Sequence, residues 1–465
     1  MSAAEPGDPF QDTIAAIATP PGEGSIGVVR LSGPHALEVA SHVFVSSFGR
    51  DPRRFASHTI HHGHVVDSGT GAVIDEVVLV FMKGPRSYTG EDVVELQGHG
   101  GRVSLEAILN LTLRHGARPA LAGEFTRRAF LNGRLDLAQA EAVLEVVRAR
   151  TEAGLAAAVR QLRGGLSGRV EGLRAELLSV VASLEASVDF PEEGFDFPAV
   201  GELEKQIYRI EEGVGVLIQQ ARDGRLLREG ATVVIAGRPN VGKSSLLNAL
   251  LGRERAIVSV VPGTTRDTVE EELEIRGFPI RLIDTAGLRE EPQDPIEMEG
   301  LRRTREAVGR ADVTIVVVDG SEPIAPLDLN AWSESPEPRI LVANKSDLEP
   351  AAQSAAYQDR FGVEPLFTSA RTRQGVEGLR SEIGRLLGGD AAGEAIMMVG
   401  PRHREALERA ERQLERARRG LGEGISVELT VLDVRGALHA LGEIVGETVT
   451  EEILDQIFRD FCIGK

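Results

Sequence analysis

The feature that most constrains this chain is the octapeptide GRPNVGKS at 237–244, which fits the spacing G-x-x-x-x-G-K-[ST]. It works only in one setting, a strand that ends in a tight loop opening directly into a helix. The flanks supply that setting. TVVIAG at 232–237 is a short apolar run of strand character, and SSLLNALLG follows as a helix. In such a loop small glycines let the backbone N–H groups of Asn240, Val241 and Gly242 curl around phosphate oxygens. Lys243 adds a cation for the β- and γ-phosphates, and the helix start brings its positive dipole end. The Ser244 hydroxyl can bind Mg²⁺, with Ser245 beside it in the same first turn. The pattern predicts a nucleoside triphosphate site.

Three more runs, IRLID (280–284), VTIVVVDG (313–320) and RILVAN (339–344), alternate with helical stretches, so a largely parallel α/β sheet is expected. The first and the last carry a motif at the end. DTAG (Asp284, Thr285, Ala286, Gly287) places a carboxylate where it can hold the Mg²⁺ shell and a glycine N–H near the γ-phosphate. NKSD places Asn344, Lys345 and Asp347 after the last strand. A carboxylate there accepts both N1–H and N2–H₂ of guanine, whereas adenine offers the wrong pattern. TSA at 368–370, with Ser369 and Ala370, would close over the base. Three ordered motifs on one sheet predict GTP. PGTTRD at 262–267 adds Pro262, Gly263 and the hydroxyls of Thr264 and Thr265, the latter facing Mg²⁺ when the γ-phosphate is present. The position after DTAG is Leu288, where Ras-like proteins carry a water-orienting Gln. Hydrolysis then needs another group: a downstream residue, a partner, or a monovalent cation for which Asn240 is a candidate oxygen ligand. The plain reading of Asn240 is a turn residue after proline.

Around this core the chain changes texture. IGVVRL (26–31), VIDEVVLVF (73–81) and VVEL (93–96) predict a sheet-containing N-terminal domain. Leu166, Val170, Leu173, Leu177, Val181, Leu184 and Val188 recur at helical spacing, as do Leu407, Ala410, Leu414 and Ala417. The final helix is expected to start near Thr448, with Glu451 in capping-box register and Ile453, Ile457 and Phe461 on one face. The simplest assembly is a helical domain in two segments, interrupted by the α/β domain. At 465 residues, about three domains are expected. With 52 Lys and Arg against 71 Asp and Glu, the formal charge of −19 argues against nonspecific coating of nucleic acid. A single cysteine, Cys462, precludes an internal disulfide, and no apolar run reaches membrane-spanning length. A cytoplasmic protein with no membrane association is expected.

The set GRPNVGKSSLLNALLGRERAIVS, PGTTRD, DTAGLRE and NKSD, with a terminal CIGK, closely resembles the tRNA-modification GTPase MnmE (TrmE) family. TPPGEGSIGVVRLSG, TGEDVVELQGHGG, GEFTRRAFLNGRLDLAQAEA and DFPEE match it too, so the resemblance spans essentially the whole chain. It implies a Ras-like P-loop GTPase domain (230–388) inserted in a helical domain (133–229 and 389–465), preceded by an α+β folate-binding and dimerisation domain (1–132). It also implies a homodimer working with the flavin-dependent partner MnmG, which carries FAD, on C5 of the wobble uridine of certain tRNAs. The one-carbon unit would come from a tetrahydrofolate derivative, 5-formyl- or methylene-tetrahydrofolate, and hydrolysis would depend on K⁺. By residue, the resemblance assigns Asn240, Ser259, Val261 and Thr264 to potassium, with Val260 in the same loop. Ser244 and Thr265 fall to Mg²⁺, and Glu297 to the catalytic, water-bridging role. EEPQDPIEMEG is one residue longer than the family spacing, so Glu299 is the alternative. Arg30, Glu95, Arg134 and Lys465 fall on folate contacts, Arg134 standing where Lys is common. Cys462 falls on the cysteine linked to modification chemistry.

Plainer readings compete elsewhere. His58, His61, His62 and His64 lie along a predicted strand with no accompanying Cys or Asp pattern, which disfavours a metal. The arginines of 402–420 are interleaved with Glu, as on a solvated helix face. The rival functions are a ribosome-assembly GTPase, which would need an RNA-binding KH module, and a GTP-driven scaffold whose chemistry is all on the partner.

Overall fold

The computed structural model describes residues 12–189, 200–252, 271–284, 309, 311–388 and 397–465. Their contacts sort into two units. One holds the chain up to Leu144 with Ser167–Arg174 and His439–Lys465; the other holds Glu145–Leu166 and Ala175–Leu438.

The first unit is built on strands β1 (Ile14–Ile17), β2 (Gly24–Ser32), β3 (Phe44–Ser46), β4 (Thr59–Val66), β5 (Val73–Met82), β6 (Val93–Gly100) and β7 (Arg118–Pro119). They form one sheet in the order β3-β4-β5-β6-β2-β1-β7. All neighbours are antiparallel except β1 and β7. Each expected strand is present and longer than its apolar run. Alternation decides the faces. Val29 and Leu31, Val94 and Leu96, and Leu79 and Phe81 turn inward with residues of helices Ala36–Val43 and Arg102–Arg114 to form the core. Burying a side chain such as Leu79 or Ile108 contributes about 1.5–3 kcal/mol. The intervening residues Arg30, Glu95 and Gln97 are thereby sent to the opposite face, with Arg30 directly opposite Glu95 in register.

The last helix of this unit is Glu451–Arg459, two residues later than the sequence suggests. Thr450 is its N-cap with no side-chain capping bond, and the Thr448 hydroxyl donates instead to the His439 carbonyl. Its buried residues are Leu454 and Phe458, joined by Phe461; Ile453 and Ile457 are half-buried. The buried face is thus rotated by one residue, set by the packing of Leu454, Phe458 and Phe461, while Arg127 pairs with Glu451 and Asp455 on the exposed side. Beyond the helix, Ile463 forms a β-bridge with Ala122, so the terminal CIGK lies against the N-terminal sheet unit.

The second unit contains β8 (Ala231–Ala236), β9 (Glu271–Ile275), β10 (Phe278–Asp284), β11 (Val313–Asp319), β12 (Arg339–Asn344) and β13 (Leu366–Phe367). The order is β13-β12-β11-β8-β10-β9, parallel throughout except for the β9–β10 hairpin. Every residue of β11 is buried, as expected of a parallel strand covered on both faces. The strand order reverses between β8 and β11, which places a binding crevice at their carboxyl ends. Helices Val200–Glu229 and Pro401–Gly422, far apart in sequence, pack along each other in this unit. The second buries Leu407, Ala410, Leu414 and Ala417. Its charged side is a lattice of pairs such as Arg404–Glu408, Arg419–Glu415 and Arg418–Glu211, the solvated face expected from the interleaving. Residues 397–465 contain no named strand among the described residues, so they lack the sheet of a KH module. No described helix is long and apolar enough to cross a membrane.

Candidate functional site

The residues expected to hold a nucleotide converge at the carboxyl ends of β8, β10 and β12. β8 runs into Gly237, and the loop turns through Asn240 (φ 66°) and Gly242 (φ 96°) before helix Lys243–Leu251 begins. A Cβ on Gly242 would stand 2.4 Å from Asn344 Nδ2, and one on Gly237 would stand 2.3 Å from the Val317 carbonyl oxygen. Both glycines are therefore required by close approach as well as by their left-handed backbone. Lys243 is buried, its ammonium donating to the carbonyls of Gly237 (3.0 Å) and Arg238 (2.9 Å) across the mouth of the loop. The Arg238 side chain is anchored outward on Asp328 (3.0 Å) and Glu322 (2.6 Å). Ser244 and Asp284 meet as expected: the hydroxyl donates to the carboxylate at 2.7 Å. Two hard oxygen donors converging at a helix N-terminus suit Mg²⁺.

The base-reading side is a laced pair of loops. Asn344 is buried and its amide group bridges them, donating to the Val241 carbonyl (3.0 Å) and accepting from the Ala370 N–H (3.1 Å). Backbone bonds from Thr368 to Ala343 and from Ser346 to Thr368 fasten the same segments. Asp347 accepts the Ser369 hydroxyl on Oδ1 and pairs with Arg371 on Oδ2, each at 2.5 Å. Ser369 first, and Arg371 with it, hold its carboxyl below the usual carboxylate range. Lys345, at φ 65°, is held by Asp319 at 2.5 Å. Burial pushes Asp319 up, but Lys345 and the Ser321 hydroxyl and N–H outweigh it and leave the carboxylate ionised.

A second polar cluster lies in the first unit. Arg30 Nε donates to Glu95 Oε1 (3.0 Å) and Arg30 Nη1 to the Gly464 carbonyl (3.3 Å). Gln97 donates to the other Glu95 oxygen at 3.0 Å. The guanidinium carbons of Arg30 and Arg134 lie 5.4 and 5.3 Å from the Tyr88 ring centre, and Phe125 flanks Arg30 at 5.7 Å. Burial pushes the Tyr88 hydroxyl up, although Thr126 accepts or donates at 2.8 Å. Gly464 has φ 96°, and a Cβ there would sit 2.5 Å from the Ile17 carbonyl oxygen, so the tail fits closely only as glycine. The Cys462 carbonyl accepts from the amides of Gly123 and Lys465, while its side chain is exposed.

A family model described as the MnmE helical domain matches residues 137–462. Another, described as the N-terminus of the GTP-binding protein TrmE, matches residues 13–134. The chain belongs to the MnmE family of tRNA modification GTPases. A tRNA modification GTPase MnmE of Heliobacterium modesticaldum is 46% identical over 466 residues, 98% of this chain and 99% of that protein. Its namesake in Symbiobacterium thermophilum is 48% identical over 458 residues, 98% and 100% of the two chains. That of Geobacter sulfurreducens is 47% identical over 460 residues, 98% and 99%.

Of the residues singled out in this MnmE-family sequence, the structure brings together Asn240, Val241, Gly242, Lys243, Ser244, Asp284, Asn344, Asp347, Ser369 and Ala370. It separately gathers Arg30, Glu95 and Arg134, with Gly464 and hence the end of the chain beside them. Ser245 is exposed in the first turn of the phosphate-loop helix. Ser259, Val260, Val261, Pro262, Gly263, Thr264, Thr265, Thr285, Ala286, Gly287, Glu297 and Glu299 lie outside the described residues. The histidines are engaged locally: His62 pairs with Glu76 and Ser47, and His61 stacks on Phe55. Among the described residues no cluster of three or more His, Cys, Asp or Glu could hold a metal. Sequence reasoning passed over Asp319, Arg371, Tyr88 and Gly464. Asp319 had a visible signal, a carboxylate closing the apolar run of β11.

One prediction arises here. Gly242→Ala forces an alanine to φ 96° against Asn344, and should destabilise the second unit by roughly 1–3 kcal/mol while weakening nucleotide binding. Chemical denaturation with and without GDP measures both.

Proposed function

We propose that this MnmE-family chain is a cytoplasmic, K⁺- and Mg²⁺-dependent GTP hydrolase that binds a tetrahydrofolate derivative. In this reading it acts as a homodimer with the flavin-dependent MnmG, which carries the FAD. Together they modify C5 of the wobble uridine (position 34) of certain tRNAs to carboxymethylaminomethyl- or aminomethyl-type uridine. The domains divide at 1–132, 133–229, 230–388 and 389–465. The observation that carries the nucleotide half is Asp347. Its carboxylate is oriented by Ser369 and set opposite a phosphate loop whose Lys243 and Ser244–Asp284 pair suit a Mg²⁺-bound triphosphate. Mg²⁺ would be held by Ser244 and Thr265, with Asp284 behind Ser244, and supplies charge neutralisation of the β- and γ-phosphates. This chain's own part is to cradle the phosphates, select the base and, through Glu297, orient water.

The folate half is supported by the Arg30–Glu95–Arg134 cluster. Glu95 is a carboxylate suited to the amidine-like N–H edge of a pterin, Arg30 and Arg134 suit carboxylates, and Tyr88 offers a flat wall. Lys465 and Cys462 reach the same unit through the seated tail. Arg30→Ala or Glu95→Gln should weaken 5-formyl-tetrahydrofolate by about 10- to 100-fold, the loss of one charge-assisted contact, with GTP binding unchanged. Calorimetry with each ligand reads this, and intact folate binding in both variants places the pocket elsewhere. Mass spectrometry of tRNA nucleosides from a deletion strain, complemented or not, tests the reaction itself. Wobble uridines that still carry the modification without the gene would overturn the proposal.

A further inference from the structure

Guanine's donor edge, N1–H beside C2–N2H₂, is a guanidine built into a ring. The structure places a real guanidinium on the carboxylate oxygen where that edge would dock. Asp347 uses its two oxygens differently. Oδ1 takes the Ser369 hydroxyl, and Ser369 is fully buried, its own amide donating to Gln374 and its hydroxyl accepting from the Thr372 N–H. That arrangement is fixed by the turn. Oδ2 takes Arg371, whose side chain is 74% exposed against 13% for Asp347. One partner orients the carboxylate permanently, and the other is a solvent-facing arm with a planar fork of N–H donors.

We propose that Arg371 is a built-in competitor for the guanine subsite, a side chain that pairs with Asp347 Oδ2 and is displaced by the base. This deepens the GTP reading and rests on Asp347 being the base-reading group. The displacement is modest in energy because the pair is exposed and screened. Its function is to tune loading: Arg371 balances the Asp347 charge, and the nucleotide exchanges against a tethered mimic instead of water alone.

The test is stopped-flow binding of fluorescent GDP to the full chain with Mg²⁺. Arg371→Ala should raise the association rate and tighten binding by about two- to fivefold, with the dissociation rate unchanged. The ratio of variant to parent should fall toward one at high salt, where exposed pairs are screened. Arg371→Lys, with charge but no planar fork, should lie between. In an Asp347→Asn background, with xanthosine diphosphate as ligand, removing Arg371 should change nothing. Unchanged GDP binding in Arg371→Ala overturns the proposal. A faster dissociation also overturns it, since Arg371 would then hold the bound base. Failure of the underlying reading looks different: Asp347→Asn alone would keep its preference for guanine.

Discussion

Asp347→Asn should weaken GTP binding by on the order of 10²–10⁴-fold and make xanthosine triphosphate the better ligand. Two effects add. The carboxylate's two acceptor bonds to N1–H and N2–H₂ are charge-assisted, each worth about 1.5–3 kcal/mol, and an amide replaces one acceptor with a donor facing another donor. Xanthine carries a carbonyl at C2, which restores the match to the new N–H₂. The phosphate loop, Lys243 and Ser244 are untouched, so affinity for the triphosphate moiety persists and only base choice moves. The Ser369 hydroxyl makes the test sharper, because it holds the rotation of the side chain at residue 347. Calorimetry with both nucleotides measures the exchange, and a variant that still prefers GTP would remove Asp347 from the base-reading role. The pH dependence follows from the same contacts. With its carboxyl held below the usual range by the Ser369 hydroxyl first of all, Asp347 stays ionised in mild acid. Guanine selectivity should therefore persist through mild acid and be lost only as that carboxyl is protonated, below the ordinary carboxylate range.

What the residues revealed, and what they hid, divides along physical lines. The phosphate loop was legible because its requirements are local: two glycines that nothing larger could replace, and a lysine and serine at the first helical turn. β11 and β12 were legible because strands covered on both faces read as unbroken apolar runs. Asn344 was found as part of NKSD, but its structural work was not. The bridge from Val241 to Ala370 spans three loops and exists only once the sheet has aligned them. Asp319 is similar: a carboxylate at a strand end has many uses, and only the fold shows Lys345 against it. The last helix was misread by two residues because Thr448 with Glu451 forms a capping-box pattern in sequence, whereas in the fold the Thr448 hydroxyl is turned to the His439 carbonyl and Thr450 takes the N-cap position. Arg127, more than 300 residues upstream, pairs with Glu451 and Asp455, a contact that no local pattern displays. Gly464 shows the same limit. Its backbone angle and its approach to Ile17 are tertiary facts, although the CIGK motif marked its neighbourhood.

Hydrolysis should be roughly 100-fold faster in KCl than in NaCl at matched ionic strength, a difference comparable to removing one transition-state donor. The reasoning starts from Leu288, which cannot orient water and so closes the Ras-like route. It continues with Asn240, which is exposed in the phosphate loop at φ 66°. Asparagine tolerates that backbone region, so a turn role is real, but many residues could make a turn and few offer a neutral amide oxygen beside the β- and γ-phosphates. A K⁺ bound there would supply positive charge, and Na⁺, being smaller, would not meet the same oxygen distances. Asn240→Ala should erase the difference between the salts while leaving GTP affinity nearly intact, because the cradle is backbone and the cation for the phosphates is Lys243. Glu297→Ala should lower the catalytic rate in KCl without weakening GTP binding, since a water-orienting carboxylate acts on the transition state and not on the bound substrate. A normal rate in that variant would pass the role to Glu299, two residues along the same acidic stretch. Equal rates in the two salts for the unaltered protein would exclude the cation route, and the catalytic charge would then have to come from a side chain of this protein or of its partner.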